Sequence, residues 1–197
     1  MTSDLKIAGI LLAAGDSSRM EQPKALLSFN GSSFIDTILD HLSGSGCDPV
    51  LSVLGHHGDV ICQQTDANTY KCFSNPQPQL GMLSSLKIAI EHLPESCQGF
   101  ILSLVDHPAV KRETYTAIVQ AAKLNPNKII IPQFYGQNGH PVFFGRVFFQ
   151  ELLNAPNEQG ARIVVHQHLD DVHFLHVEDT GILQDIDTPE EYKQLAH

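Results

Sequence analysis

The sequence has few basic residues. Its 197 residues include 12 Lys and Arg against 22 Asp and Glu, and the formal net charge at pH 7 is −10. Proteins that bind nucleic acids need clustered basic side chains, which displace counterions from the phosphates. We therefore expect no nucleic-acid partner, and an anionic ligand would have to be held locally. The arginines available for this are Arg19, Arg112, Arg146 and Arg162.

The sequence also lacks paired cysteines and long apolar runs. Its four cysteines are widely separated and form no Cys-x-x-Cys pair, which is typical of thiols in a reducing compartment. The longest apolar stretch, residues 7–14, is far shorter than the roughly 20 residues that cross a bilayer. The N-terminus shows no signal-peptide pattern. We expect a cytoplasmic protein with no membrane partner, folded as a single domain over residues 1–197.

Strand and helix patterns alternate along the chain. Apolar runs predict strands at 7–13, 49–55, 70–74, 99–105, 128–131 and 172–177. Helical spacing predicts helices at 60–65, 81–92, 111–124, 146–153 and 159–168, with another capped by Ser32 or Ser33 and a last one opened by Thr188 and Pro189. This order predicts an α/β fold whose mainly parallel sheet is covered by helices on both faces. Ligands of such folds bind at the carboxyl ends of the strands.

Two local expectations accompany this assignment. Pro132 should halt the strand that begins at Lys128, and the segment from there to Pro141 should be loop-rich. Met82 should lie on the apolar side of the helix at 81–92, together with Leu83 and Leu86.

The first candidate site follows the first strand. Small residues at Leu12-Ala13-Ala14-Gly15 would let backbone N–H groups approach a phosphate closely. Ser18 adds a hydroxyl donor, and Arg19 and Lys24 supply positive charge. No Walker loop or Gly-x-Gly-x-x-Gly fingerprint is present, so an ordinary turn is the alternative at this stage.

Carboxylates mark a second candidate site. Asp106 ends the most apolar strand, and Mg²⁺ prefers one or two carboxylates together with substrate phosphates. If residues 185–187 are extended, Asp185 and Asp187 point to one face and could complete a divalent-metal site. The alternatives are a helix cap or turn residue at Asp106, and a helix start at Asp187 or Thr188.

Weaker signals lie elsewhere in the chain. A turn and a Gly-Ser-rich helix start are suited to binding a base or phosphate, or simply to helix capping; their residues are Asn75, Gly81, Ser84 and Ser85. His140 and Arg162 are candidates for contacts with a ligand, although each could equally be a surface residue. Four histidines, at 166, 168, 173 and 176, resemble a metal cluster, but residues two apart on a helix do not share a face.

Taken together, six ordered blocks resemble the MobA/MocA-like nucleotidyltransferases, and the nearest branch is the molybdenum cofactor cytidylyltransferases. The blocks are Leu12-Ala-Ala-Gly-x-Ser-x-Arg-Met-x-x-Pro-Lys24, Asn75-Pro-x4-Gly-Met-x-Ser-Ser-Leu86, Asp106-x-Pro108, Gly139-His-Pro141, Gly160-Ala-Arg162 and Asp185-Ile-Asp-Thr-Pro-Glu190. They span nearly the whole chain.

The resemblance implies a Rossmann-like domain of the GT-A type and transfer of CMP from CTP to molybdenum-molybdopterin cofactor, with release of pyrophosphate. It also implies roles for single residues. The triphosphate would be held by Ala13, Ala14, Gly15, Ser18, Arg19 and Lys24. Mg²⁺ or Mn²⁺ would be held by Asp106 and by Asp185 or Asp187, and the acceptor would be contacted by His140 and Arg162.

The chain departs from the family pattern at a few positions. Glu21 replaces the usual glycine of the first loop, and His107 replaces the glutamine of the Asp-Gln-Pro block. Two alternatives therefore accompany the main interpretation. The protein could transfer a nucleotide to another small phosphorylated acceptor, or it could bind the molybdenum cofactor without catalysis and deliver it to a molybdoenzyme partner.

Overall fold

The structure is a computed structural model and describes residues 5–15, 22–56, 58–64 and 70–195. The strands within these residues are β1 (Lys6–Ala13), β2 (Ser28–Phe29), β3 (Ser32–Ser33), β4 (Val50–Leu54), β5 (Lys71–Ser74), β6 (Cys97–Leu104), β7 (Ile129–Phe134), β8 (Gln137–Asn138), β9 (Val142–Gly145) and β10 (Val172–His176). The α-helices are α1 (Phe34–Gly44), α2 (Gly58–Gln64), α3 (Met82–Glu91), α4 (Arg112–Leu124), α5 (Phe149–Asn154), α6 (Arg162–Gln167) and α7 (Pro189–Leu195).

One twisted sheet forms the centre of the fold, in the order β10-β7-β9-β6-β1-β4-β5, with β8 paired to β7. The strands β5, β4, β1 and β6 are mutually parallel, and β10 is parallel to β7. Only β9 and β8 run antiparallel to their neighbours in this sheet. The predicted mainly parallel α/β sheet is therefore confirmed.

Both faces of the sheet are covered, as predicted. Along β1, Ile7 and Leu11 face one apolar cluster, which includes the buried side of α1 and of α4. Ile10 and Leu12 face the opposite cluster, which includes α3 and α5. The alternation follows from the two-residue period of a strand, and it explains why β1 is apolar on both sides.

Helix α1 shows how local sequence sets an element. Ser33 occupies the N-cap with an extended backbone, and its side-chain oxygen accepts the N–H of Asp36 at 3.1 Å. This settles the choice between Ser32 and Ser33 in favour of Ser33. The apolar face of the helix is fully buried; its residues are Phe34, Ile35, Ile38, Leu39 and Leu42.

The expectation for Pro132 was wrong, because β7 continues through it to Phe134. Pairing of β7 with β9 involves only Ile129 and Ile130, so the ladder on that side has ended before the proline. The Pro132 carbonyl still accepts the N–H of Gly139 at 3.0 Å. A proline is tolerated where the strand does not need its N–H.

Strand β9 was missed by the sequence assignment. Its four residues, Val142-Phe143-Phe144-Gly145, are buried between β6 and β7. A short run of β-branched and aromatic residues between Pro141 and a glycine is the signal that could have indicated a strand.

Met82 also departs from expectation. Its side chain is 53% exposed, whereas Leu83 and Leu86 are buried. Met82 is the first residue of α3, and a side chain in the first turn can point past the helix end towards the carboxyl edge of the sheet.

Candidate active site

Four parallel strands place their following loops at one edge of the sheet. A cavity of about 270 Å³ opens there. Its walls come from the segments after β1, β4, β5 and β6; the residues are Leu12, Ala13, Ala14, Gly15, Pro23, Lys24, Ala25, Gly55, His56, Ile61, Pro78, Gly81, Met82, Ser85, Leu104, Val105 and Asp106. This is the edge at which ligands of open α/β sheets bind.

The segment after β1 forms one wall of the cavity. Leu12, Ala13, Ala14 and Gly15 all line it, as the first candidate site requires. Gly55, at the end of β4, lies against this segment so closely that a Cβ there would be 2.7 Å from the Ala14 carbonyl oxygen. A glycine at 55 is therefore needed for the two loops to meet.

Residues 16–21 of the predicted phosphate loop lie outside the described residues, and they include Ser18, Arg19 and Glu21. The triphosphate roles of Ser18 and Arg19, and the effect of Glu21, stay predictions.

Lys24, which lines the cavity, meets Asp187 although the two residues are far apart in sequence. The Lys24 ammonium donates a short hydrogen bond to Oδ1 of Asp187. The Lys24 side chain is only 14% exposed, so the ion pair is partly shielded from water. The structure thus joins the predicted phosphate loop to the C-terminal carboxylates.

A capping interaction at α7 explains why Asp187 is available for this contact. Oγ of Thr188 accepts the N–H of Glu191, and the Glu191 carboxylate accepts the N–H groups of Asp187 and Thr188 at 2.7 and 2.8 Å. This reciprocal arrangement is a capping box. Thr188 therefore caps the helix, and the side chain of Asp187 faces Lys24.

Asp106 is held where β6 ends. Its backbone carbonyl accepts the N–H of Ile186 at 2.8 Å, which ties the C-terminal segment to the end of β6. Its Oδ1 atom is buried and has no hydrogen-bond partner among the described residues. Burial raises the pKa of Asp106, although the positive charge of Lys24 opposes this shift. A buried carboxylate oxygen that has no protein partner is suited to bind a cation.

Two histidines lie next to Asp106. Nε2 of His107 is 3.8 Å from Oδ1 of Asp106, and the rings of His107 and His140 are 5.3 Å apart between centroids. Burial lowers the pKa of both imidazoles, that of His140 to about 4. Both rings are therefore neutral at pH 7. Neither histidine is among the residues that line the cavity, whereas Asp106 is.

Most contacts of the Asn75 block stabilise the start of α3, and only part of the block lines the cavity. The Asn75 amide donates to Oγ of Ser84 at 2.8 Å and to Oγ of Ser85 at 2.9 Å, and Ser84 donates to the Gly81 carbonyl. Of this group, Gly81 and Ser85 line the cavity. Asn75 and Ser84 are buried and brace the start of α3.

Asp185 and Arg162 do not line the cavity. Asp185 is exposed, and its charge acts on His107. Arg162 is also exposed, its Nε donates to the Gln159 carbonyl, and it lines a separate shallow depression with His166. The structure therefore brings Lys24, Asp106 and Asp187 together, and leaves Arg162 outside the cavity.

Several cavity residues escaped the sequence analysis. His56 follows β4 and lines the cavity together with Ile61, and Pro78 and Met82 line it from the segment after β5. A polar residue directly after the apolar run at 49–55 was the one available signal for His56.

Within the part of the chain that the structure describes, no group of three or more His, Cys, Asp or Glu side chains is arranged to hold a metal ion. A cation at Asp106 would thus take few protein ligands and fill its coordination with substrate phosphates. No helix among these residues is long and apolar enough to span a membrane.

The sequence is similar to a known family and to proteins of known name. A profile of the MobA-like NTP transferase domain matches residues 9–172. The molybdenum cofactor cytidylyltransferase of Escherichia coli (strain K12) is 26% identical over 185 residues, which are 93% of this chain and 92% of that protein. The nicotine blue oxidoreductase of Paenarthrobacter nicotinovorans is 24% identical over 198 residues, which are 96% of each.

A solved structure is also similar over the full length. The manganese complex of Rv0371c from Mycobacterium tuberculosis H37Rv superposes with a TM-score of 0.84 and is 25% identical, covering 98% of this chain and 99% of that one. The Rossmann-like architecture predicted for the chain is therefore shared with a protein whose solved structure is a complex with manganese.

Proposed function

The chain belongs to the MobA-like NTP transferase domain family, and on this premise we propose that it transfers CMP from CTP to a molybdopterin-type acceptor and releases pyrophosphate. It is a nucleotidyltransferase, and the choice of nucleotide and acceptor is the proposal. The Ala13-Ala14-Gly15 form of the first loop and the similarity to the cytidylyltransferase of Escherichia coli favour CTP and this acceptor. We also propose that residues 1–197 form one domain, as the single central sheet suggests.

One observation carries the proposal. Asp106, two residues after β6, has a buried Oδ1 without a hydrogen-bond partner in the described part of the chain, and it lines the same cavity as Lys24 and the small residues after β1. Anion-binding backbone, one lysine and two carboxylates converge at a strand edge. This combination is suited to a metal-bound triphosphate.

The donor set fits a divalent cation. Carboxylate oxygens of Asp106 and Asp187 would hold Mg²⁺ or Mn²⁺, with Asp185 next to Asp187 as the further candidate. When bound, the cation neutralises charge on the triphosphate and on the leaving pyrophosphate.

The chain's own residues would supply positioning and charge. Backbone N–H groups of Ala13, Ala14 and Gly15 would donate to the phosphates, and the Lys24 ammonium would bind the β and γ phosphates, with Arg19 as a further predicted contact. An oxygen of the acceptor phosphate attacks the α-phosphorus, and the bond from that phosphorus to the pyrophosphate oxygen breaks. The acceptor phosphate is already anionic at pH 7, so no general base is needed. Contacts of His140 and Arg162 with the acceptor stay predictions.

Pyrophosphate release tests the proposal. The purified protein is assayed with each of the four NTPs, with and without molybdopterin cofactor. We expect release only with CTP and acceptor together, and loss of release in Asp106→Asn. Release with another NTP or another phosphorylated acceptor would contradict the choice of substrate. Absence of release with every NTP, while the cofactor still binds, would favour the delivery role.

A further inference from the structure

The backbone that carries Asp187 is held by residues that take no part in the proposed reaction. The family match ends at residue 172, so this segment lies beyond the matched part of the chain. Three consecutive backbone N–H groups in it are bound. That of Ile186 donates to the Asp106 carbonyl at 2.8 Å. Those of Asp187 and Thr188 donate to Oε2 of Glu191 at 2.7 and 2.8 Å. The backbone on both sides of the Asp187 side chain is therefore fixed.

A small apolar cluster joins the segments that carry the charged residues of the site. Its members are the buried Leu27, Phe34 and Ile186 and the partly buried Phe29, Val105, Tyr192 and Leu195. Three of them lie within three positions of Lys24, Asp106 and Asp187 in the sequence. Tyr192 anchors α7 to this cluster, because its hydroxyl donates to the Ser28 carbonyl at 2.8 Å and its ring packs edge-on against that of Phe34. Helix α7, and Glu191 with it, is thereby held beside the site.

The capping box distinguishes the two neighbouring aspartates. It includes Asp187, whose N–H it binds and whose carboxylate meets Lys24. Asp185 lies on the other side of Ile186, is exposed and is not part of the box. Successive residues of an extended segment point in opposite directions, so burial of Ile186 turns the side chain of Asp187 away from the apolar cluster. The local packing thus directs Asp187 towards the lysine of the cavity.

We infer that Glu191 is a positioning residue of the cation site, and that it makes Asp187, rather than Asp185, the second carboxylate ligand beside Asp106. Groups that hydrogen-bond a metal ligand from outside fix its orientation, and losing one typically lowers metal affinity about 10- to 100-fold. Glu191 itself touches neither the cation nor the nucleotide. The inference rests on the proposed cation site and is independent of which nucleotide or acceptor is used.

Binding of Mn²⁺ to the whole protein tests the inference. Free Mn²⁺ is measured by electron paramagnetic resonance, with Mn²⁺ alone and with Mn²⁺ plus pyrophosphate. Glu191→Ala should raise the Kd for Mn²⁺ at least about 10-fold. Glu191→Gln should restore it to near the wild-type value, because both N–H groups bind a single oxygen that the amide retains. The matched control is Glu190→Ala, which removes an exposed charge of α7 outside the box and should leave the Kd unchanged.

A double-mutant cycle separates positioning of Asp187 from general stabilisation of α7. If Glu191 acts through Asp187, Glu191→Ala should not raise the Kd further in the Asp187→Asn background, measured with pyrophosphate present. The inference would be overturned by an unchanged Kd in Glu191→Ala, by an equal effect of Glu191→Ala in both backgrounds, or by a Glu191→Gln variant as weak as Glu191→Ala.

The aspartate variants distinguish failure of this inference from failure of the proposed function. If Asp187→Asn weakens Mn²⁺ binding and Glu191→Ala does not, only the role of Glu191 fails. If Asp187→Asn binds Mn²⁺ as tightly as the wild-type protein while Asp106→Asn does not, Asp187 is not a ligand and the inference fails, but the cation site at Asp106 stands. If neither aspartate variant weakens binding, the proposed cation site itself fails.

Discussion

Replacing Asp106 by asparagine should affect activity and stability in opposite directions. The substitution keeps the size of the side chain and removes its charge. In the proposed reaction the carboxylate holds the cation, so its loss should lower kcat by at least about 10²-fold, the scale of losing one group that stabilises the transition state.

The expected gain in stability follows from the burial of the carboxylate. Without a cation, Oδ1 of Asp106 is a buried acceptor with no partner in the described part of the chain, and burial raises its pKa. Asparagine still places an oxygen at this position, so the gain comes from removing the partly desolvated negative charge, on the order of 1–3 kcal/mol. For a protein of this size 1 kcal/mol shifts Tm by about 2–4 °C. In EDTA, Asp106→Asn should therefore melt at least about 2 °C above the wild-type protein.

Thermal melts with and without Mn²⁺ measure both parts of the argument. Mn²⁺ at about 100 times its Kd should stabilise the wild-type protein by about 2.7 kcal/mol and should not shift Asp106→Asn. Pyrophosphate release is measured on the same samples. The reasoning would be refuted if Asp106→Asn melted several degrees below the wild-type protein in EDTA, or if it were stabilised equally by Mn²⁺.

Two further substitutions test the surroundings of the site. Lys24→Met should lower kcat/KM for the NTP by about 10²-fold in steady-state assays, because one cationic contact with the phosphates is lost; an unchanged value would remove Lys24 from the site. Gly139→Ala should lower the unfolding free energy by about 1–3 kcal/mol in urea titrations, because its Cβ would meet the Ile182 carbonyl. The matched control is Gly15→Ala, whose Cβ would have no neighbour within 4 Å among the described residues, and equal destabilisation by both would contradict the packing argument.

The sequence patterns predicted correctly most of the helices and strands that apolar periodicity and capping determine. The apolar run that became β1 is buried on both faces, and Ser33 caps α1 through its own side chain. The prediction failed at β7 and β9, where tertiary pairing decides. Pro132 stays in a strand because no neighbour requires its N–H, and Val142-Phe143-Phe144 forms a strand because β6 and β7 lie on either side of it.

For the candidate site, too, the sequence predicted some features, and tertiary contacts decided the others. The sequence alone indicated the small residues after β1, the lysine at 24 and the carboxylates at 106, 185 and 187, because each stands beside a turn or strand end that the local pattern marks. The positions of these residues in the sequence did not indicate how far apart their side chains lie in the folded protein. The contact of Lys24 with Asp187 spans 163 positions, and a contact at that separation exists only when the sheet order places the two segments together.

The sequence by itself therefore determined the α/β class, the strand that begins the site and the chemical types of its side chains, since periodicity, capping and composition are local properties. The tertiary structure decided which of those side chains meet. It set Asp187 on Lys24, left Arg162 outside the cavity and packed the ring of His140 against that of His107. The physical reason is that burial and close approach depend on every element packed around a residue, and no local pattern encodes that.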